Sequence, residues 1–327
     1  MQMVATNEME ESWMDEGFTS YYEGRIMDKY YGEKESSFSL WGISAGNTET
    51  TRLNYTSMNN LSVANTKTLA YKAERNGYRT LVYDKTAVWL ETLEGLLGIE
   101  TMDKIMQTYF ERWKFKHPTP EDFFRTMEDA SAVDLDWYWR GWFYTTDYVD
   151  IGVKDIKKYY VTNKPTKKME EYMAARNLTV DDLPPLVYLA EEGSEDFDPS
   201  MKGKAPSESS QTLKEFMMDN MTEAERTKVK EPKYFYEVTY DKPGGIPMPL
   251  IVEYTYADGS KENITYPPEI WRKNDKEVSV VLSSEKELTG VIVDPKAETA
   301  DIDTTNNGWP RKEEKSDFDK MKEKIKG

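Results

Sequence analysis

The sequence predicts an α+β chain in which a helical region comes first and a small antiparallel β-sandwich follows. Three observations carry this reading. From Trp13 to Phe143 apolar and aromatic residues recur at helical spacing. From Tyr234 the period drops to two, with Tyr234, Tyr236, Val238 and Tyr240, then Leu250, Val252, Tyr254 and Tyr256, alternating with polar residues. Between alternating runs sits Asp258-Gly259, the strongest short-range signal for a β-hairpin. At 327 residues the chain can hold two domains, each with its own core. Its aromatic residues, 13% of the total, concentrate before residue 160, which predicts the densest packing in the helical part.

Charge narrows the partners. Asp and Glu number 60 against 43 Lys and Arg, a formal net charge of −17. So acidic a surface argues against nucleic acid and anionic membranes. No run of about 18 apolar residues is present, so no membrane span is predicted. Cysteine is absent, which excludes disulfides and thiolate metal sites and leaves the cellular location open.

The first helix is predicted over 12–31. Met14, Phe18, Tyr21, Tyr22 and Ile26 form its apolar face, Ser12 and Asp15 offer a capping box, and Gly32 ends it. Glu16 falls among bulky neighbours, and a carboxylate there needs a partner because burying it unpaired is costly. Taken alone it reads as an ordinary exposed or ion-paired helix residue. Residues 33–65, rich in Ser, Thr and Asn, read as loops and short helices. After them Trp89, Leu90, Leu93, Leu96 and Leu97 mark a second amphipathic helix, with Tyr83 an aromatic at its edge. Three more helices follow. One spans 101–113. The next is opened by Thr119-Pro120-Glu121-Asp122, with Thr as cap, Pro first and acids in the first turn. Asp134 offers a cap for the third. The single histidine, His117, reads as structural, since a lone His has no co-ligands for a metal.

Around 147–165 the residues become β-prone. The predicted division is 1–160 helical domain, 161–232 charged linker or insertion with short helices near 167–176 and 211–229, 233–300 β-sandwich, and 301–327 charged tail. Strands are expected on both sides of Asp258-Gly259, and around Val278–Leu282 and Leu288–Ile292.

Two segments carry a resemblance. Trp13-Met14-Asp15-Glu16-Gly17-Phe18-Thr19-Ser20-Tyr21 resembles the W-x-[ND]-E-G-F-[AT]-x-Y segment of the M1 zinc aminopeptidases, gluzincins of thermolysin-like fold. Tyr83-Asp84-Lys85-Thr86-Ala87 and the leucines after it resemble the family's Y-[DE]-K-G-A-x-x-L-x-x-L-E, with Thr86 where the family usually has Gly. The segments around F-K-H-P-T-P-E-D-F-F and W-Y-W-R-G-W-F are similar as well. The likeness implies that residues 1–160 are the C-terminal helical part of a metallopeptidase catalytic domain. It also implies that Glu16 is the third zinc ligand and that Tyr83 stabilises the oxyanion of the tetrahedral intermediate. Zinc is the implied cofactor and a peptide the implied substrate. Thr86 is expected to alter how closely its helix approaches that substrate.

In the family the Glu follows an H-E-x-x-H helix, with eighteen residues between the second His and the Glu. Counting back puts that His at the fourth residue before Met1. The chain therefore lacks both His ligands, the general base and the G-x-M-E-N segment that holds the substrate's amino terminus. The resemblance thus implies a zinc aminopeptidase whose C-terminal portion begins just after the zinc helix, inactive as this polypeptide alone. Two alternatives stay open: a non-catalytic peptide-binding or assembly relative of the same fold, and an α+β adaptor.

Overall fold

The computed structural model describes residues 3–33, 35–40, 43–57, 64–67, 75–165, 167–179, 181, 184–189, 211–230 and 232–311. They form two compact units, and α+β is the class of the whole: helices dominate the first and antiparallel sheets the second. Among the described residues no helix is long and apolar enough to cross a membrane.

The first unit comprises residues 1–151 with two short returns of the chain, 242–249 and 294–304. Its elements are α1 (Trp13–Tyr31), a two-stranded ribbon of β1 (Phe38–Leu40) and β2 (Ile43–Ala45), α2 (Asn47–Thr56), α3 (Arg75–Arg79), a π-helical turn (Thr80–Asp84), α4 (Lys85–Leu97), α5 (Ile99–Trp113), α6 (Pro120–Ser131) and α7 (Asp136–Tyr144). Helix ends follow local chemistry where the side chains can reach. Thr119 and Asp122 form a reciprocal capping box over Pro120 at the start of α6. Asp134 acts one residue earlier than a cap, accepting the Asp136 N–H, while Glu128 takes the Leu135 N–H. Ser12 does not cap α1. Its backbone is already helical, and its hydroxyl donates to the Glu8 carbonyl oxygen instead.

The core of this unit is aromatic. Trp13 and Trp89 each approach the Phe143 ring at 4.6 Å, and Phe124 stacks on Trp139 at 4.7 Å. Edge-to-face and offset contacts of this kind add to the burial of large apolar area. The second helix pattern, with Trp89, Leu90 and Leu93 fully buried, is as the periodicity predicts.

In the second unit, residues 152–241, 250–293 and 305–327, the strands and helices are β3 (Gly152–Thr162), α8 (Lys167–Ala174), β4 (Leu186–Leu189), β5 (Gln211–Thr212), α9 (Leu213–Asn220), α10 (Glu223–Arg226), β6 (Tyr234–Asp241), β7 (Leu250–Tyr256), β8 (Lys261–Tyr266), β9 (Glu277–Ser284), β10 (Leu288–Val293) and β11 (Gly308–Trp309). They make two antiparallel sheets, in the orders β5-β4-β3-β6-β9 and β11-β10-β7-β8. The expected hairpin is there: β7 and β8 pair up to Thr255 opposite Lys261, and Gly259 takes φ +80°, a value open to glycine. Buried phenols bond from one sheet to the other, Tyr240 to Tyr254 at 2.8 Å. The stretch expected as linker contributes strands β4 and β5, and α9 seats Phe216 against Phe235 with ring centres 4.9 Å apart. The tail from Lys312 lies outside the described residues.

Candidate functional site

Two neighbouring elements of the first unit, α1 and the turn before α4, carry the two residues singled out in the sequence. The buried face of α1 is Trp13, Met14, Gly17, Tyr21 and Gly24. Of the expected apolar face, Met14 and Tyr21 are buried, but Tyr22 and Ile26 are 38% and 53% exposed. The reason is close approach. A Cβ on Gly17 would lie 2.1 Å from Thr86 Cγ2 and 2.8 Å from the Val82 carbonyl oxygen, so only a hydrogen fits there. The helix therefore packs Gly17 directly on the start of α4, with Trp13 against Trp89 and Tyr21 against Glu94 on either side, while Gly24 lies against α2. Tyr22 and Ile26 line an open groove of about 880 Å³ together with Phe18, Met106 and Phe110.

Thr86 sits on the other side of this contact. It is fully buried, with Oγ1 3.3 Å from the Leu81 carbonyl oxygen and 3.4 Å from Asn65 Nδ2. It faces the helix that carries Glu16. Further along, the Tyr21 phenol donates to Glu94, and Arg25 bridges Glu94 at 3.4 Å and Asp103 at 2.7 Å. These bonds brace α1 against α4 and α5.

Between Thr80 and Asp84 the helix widens by one residue, and the Lys85 N–H reaches back five places to the Thr80 carbonyl oxygen. Such π-turns are rare and concentrate at functional sites. Tyr83 lies within this one. Its side chain is partly exposed and lies near enough to the Glu16 carboxylate to feel its charge, so the structure brings the two residues together. Burial and the neighbouring Glu16 carboxylate push the Tyr83 phenol up to about 12. A phenol titrating above its ordinary value stays protonated, and remains a donor, throughout the physiological range. Asp15, next to Glu16, is pushed up to about 6 by burial and by the charges of Glu16 and Glu8.

Beside Tyr83 opens a polar cavity of about 640 Å³, whose walls include Ser20, Glu23, Thr50, Asn54, Arg79 and Asp84. His117 is elsewhere, at the start of α6, where Nδ1 meets the Ala5 carbonyl oxygen at 2.9 Å. Among the described residues one group of carboxylates, Glu128, Asp134 and Asp136, is close enough to share a cation. Two of its members already accept the backbone N–H groups that open α7, which accounts for their convergence. The glycine contact and the π-turn have no signature in the sequence pattern. Gly17 stands in the family-like segment, but nothing local says what it approaches.

The comparisons with known proteins agree with the segments that compose this site. Residues 2–142 match the family model described as the Peptidase family M1 domain. Aminopeptidase N of Escherichia coli is 42% identical over 83 residues, 25% of this chain and 9% of that protein. Leucine aminopeptidase 2 of Emericella nidulans is 29% identical over 150 residues, 43% of this chain and 24% of that protein. The chain thus spans about a tenth to a quarter of the length of these curated relatives. Among solved structures, the aminopeptidase A of Legionella pneumophila is similar with a TM-score of 0.43 and 12% identity, over 84% of this chain and 21% of that one.

Proposed function

We propose that residues 2–142, which match the Peptidase family M1 domain, supply two parts of an aminopeptidase site: Glu16 as a zinc ligand and Tyr83 as the donor to the oxyanion. The observation that carries this reading is that α1 and the π-turn bring the Glu16 carboxylate and the Tyr83 phenol close enough for the carboxylate to act on the phenol's proton. A single carboxylate with a phenol beside it, at the edge of a polar cavity, suits a site that handles a peptide carbonyl.

The donor set of this chain does not by itself fit zinc. A catalytic zinc takes three protein ligands and keeps one position open. Here Glu16 offers one, the chain has no cysteine, and its single histidine is bonded to a backbone carbonyl at the start of α6. The two remaining ligands and the general base would come from an H-E-x-x-H segment outside these 327 residues. Alone, the polypeptide is expected to bind no zinc specifically and to leave peptides intact.

What the residues present can do is limited and definite. When a peptide carbonyl is attacked, its oxygen gains charge, and the Tyr83 hydroxyl is a protonated donor that can meet it. The neighbouring cavity would take a polar portion of the peptide, since hydroxyl, amide and charged groups line it.

The test is elemental analysis of two proteins: this chain, and the chain extended at its N-terminus by the family's G-x-M-E-N and H-E-x-x-H segments, the latter with the family spacing to Glu16. One zinc per molecule is expected only in the second, with release of N-terminal residues from peptides. Glu16→Gln in the extended protein should lose the metal. Full zinc occupancy in that variant would remove Glu16 from the ligand set.

A further inference from the structure

Among the buried charged groups of the first unit is an ammonium that neither stability nor the proposed chemistry explains. Lys85, the first residue of α4, is completely buried, and its Nζ has no hydrogen-bond partner. The facing charge is Asp147, in the loop after α7, which attracts the ammonium without a hydrogen bond joining them. Burial lowers the ammonium to about 8, with Asp147 opposing. An amine buried in this way costs stability, because water is lost and no full partner replaces it. An apolar side chain of the same length would serve the core better.

We propose that Lys85 is a positioning residue for Tyr83, holding open the five-residue turn that aims the phenol at Glu16. The proposal takes its functional meaning from the reading of Tyr83 above. The backbone of Lys85 closes the turn, through its N–H to the Thr80 carbonyl oxygen. A π-turn carries one residue more than the α-helix around it, and without an outside hold it relaxes to the α register. That change would rotate Tyr83 by about 100° relative to α4 and take its phenol off Glu16.

Asp147 can supply the outside hold because its own place is set. Its backbone N–H donates to Thr145 Oγ1 at 3.1 Å, and its carboxylate lies against Gly245, where an added Cβ would be 2.1 Å from Asp147 Cγ. The attraction therefore runs from a seated anion to the end of the Lys85 side chain, across the interior of the unit. It holds the first residue of α4, and the turn before it, in register. Val88 and Trp89, also fully buried, fill the next turn of the helix.

The experiment uses the full chain labelled with [13Cζ]tyrosine and observed by NMR at pH 7, with the Tyr83 line assigned by its absence in Tyr83→Phe. Glu16→Ala marks where that line falls when the contact is lost. Lys85→Met should keep the far-UV circular dichroism and melt no lower than the parent, while its Tyr83 line moves to the Glu16→Ala position. Asp147→Asn, a change at a half-buried loop residue, should move the line the same way, and Asp147→Glu should restore it. A folded Lys85→Met whose Tyr83 line stays at the parental position overturns the proposal. If Lys85→Met does not fold, Asp147→Asn decides by the same criterion. If both fail to fold, the pair is plain core structure and the proposal falls. Because the readout is the contact itself, a failure of the zinc assignment would leave this result standing.

Discussion

At the scale of single residues, the proposed role of Tyr83 turns on which state its hydroxyl is in. With the phenol pushed up to about 12, the proton is present at any pH where a peptidase works. Removing that proton donor is thus the cleanest residue-level test. In the N-terminally extended protein, Tyr83→Phe should lower kcat by about 10²–10³-fold, the scale of one lost oxyanion donor, and leave zinc content unchanged. Steady-state kinetics beside elemental analysis checks this, and parental turnover would remove Tyr83 from the reaction. A second residue sets a different expectation. Glu91 is 10% exposed, with Arg52 at 3.7 Å, and burial pushes its carboxyl up to about 8 from an ordinary 4.5. Between those values the folded state binds more protons than the unfolded chain, so stability is fully present below about pH 4.5 and is lost as pH rises through 8. The melting temperature should be higher at pH 5 than at pH 8, and Glu91→Gln should flatten the difference. A slope that is unchanged in that variant would place its origin elsewhere.

Elements are held at the site by contact rather than by propensity. Helix α1 lies against α4 because Gly17 has no Cβ, and Thr86 fills the space that remains. Gly17→Ala should therefore destabilise the first unit by about 1–3 kcal/mol, the usual cost of forcing an extra methyl into a packed core. Thr86→Gly should recover part of that loss when the two changes are combined, since the closest clash is with the Thr86 side chain. Chemical denaturation of the four proteins in a double-mutant cycle measures the coupling; additive losses would mean that the two residues do not share one space. The elements differ in how far local sequence foretold them. Thr119 with Asp122 marked the start of α6 because a capping box is closed within four residues. Ser12 had the same local wording, yet its backbone continues a turn from Asn7 to Glu11 and its hydroxyl turns to Glu8. The π-turn at Tyr83 was illegible for a related reason: one extra residue leaves the apolar spacing on either side intact.

For the whole molecule, the dominant quantity is a net charge of −17. Self-repulsion of that size weakens a compact state and is screened by salt over a Debye length of about 10 Å at 0.1 M. Raising NaCl from about 0.05 to 0.5 M at pH 8 should increase the melting temperature by a few degrees, by this screening. No rise would mean that the excess acids are already compensated locally. Ion pairs such as Lys154–Glu277 and Arg112–Asp129 are exposed and contribute little each.

The amino-acid pattern alone determined the order of helical and β parts, the hairpin at Asp258-Gly259 and the apolar run of α4, and it singled out Glu16 and Tyr83 as the residues proposed for the site. Each of these depends on spacing within a few residues or on a short segment that can be matched as written. What the packed chain decided was which face of α1 is buried, that Thr86 looks toward Glu16's helix, and that Tyr83 meets Glu16 at all. Those outcomes depend on groups far apart in sequence competing for the same space, such as Gly17 with Thr86 and Lys85 with Asp147. No local period records that competition, because side-chain volume and charge act through distance in space rather than along the chain.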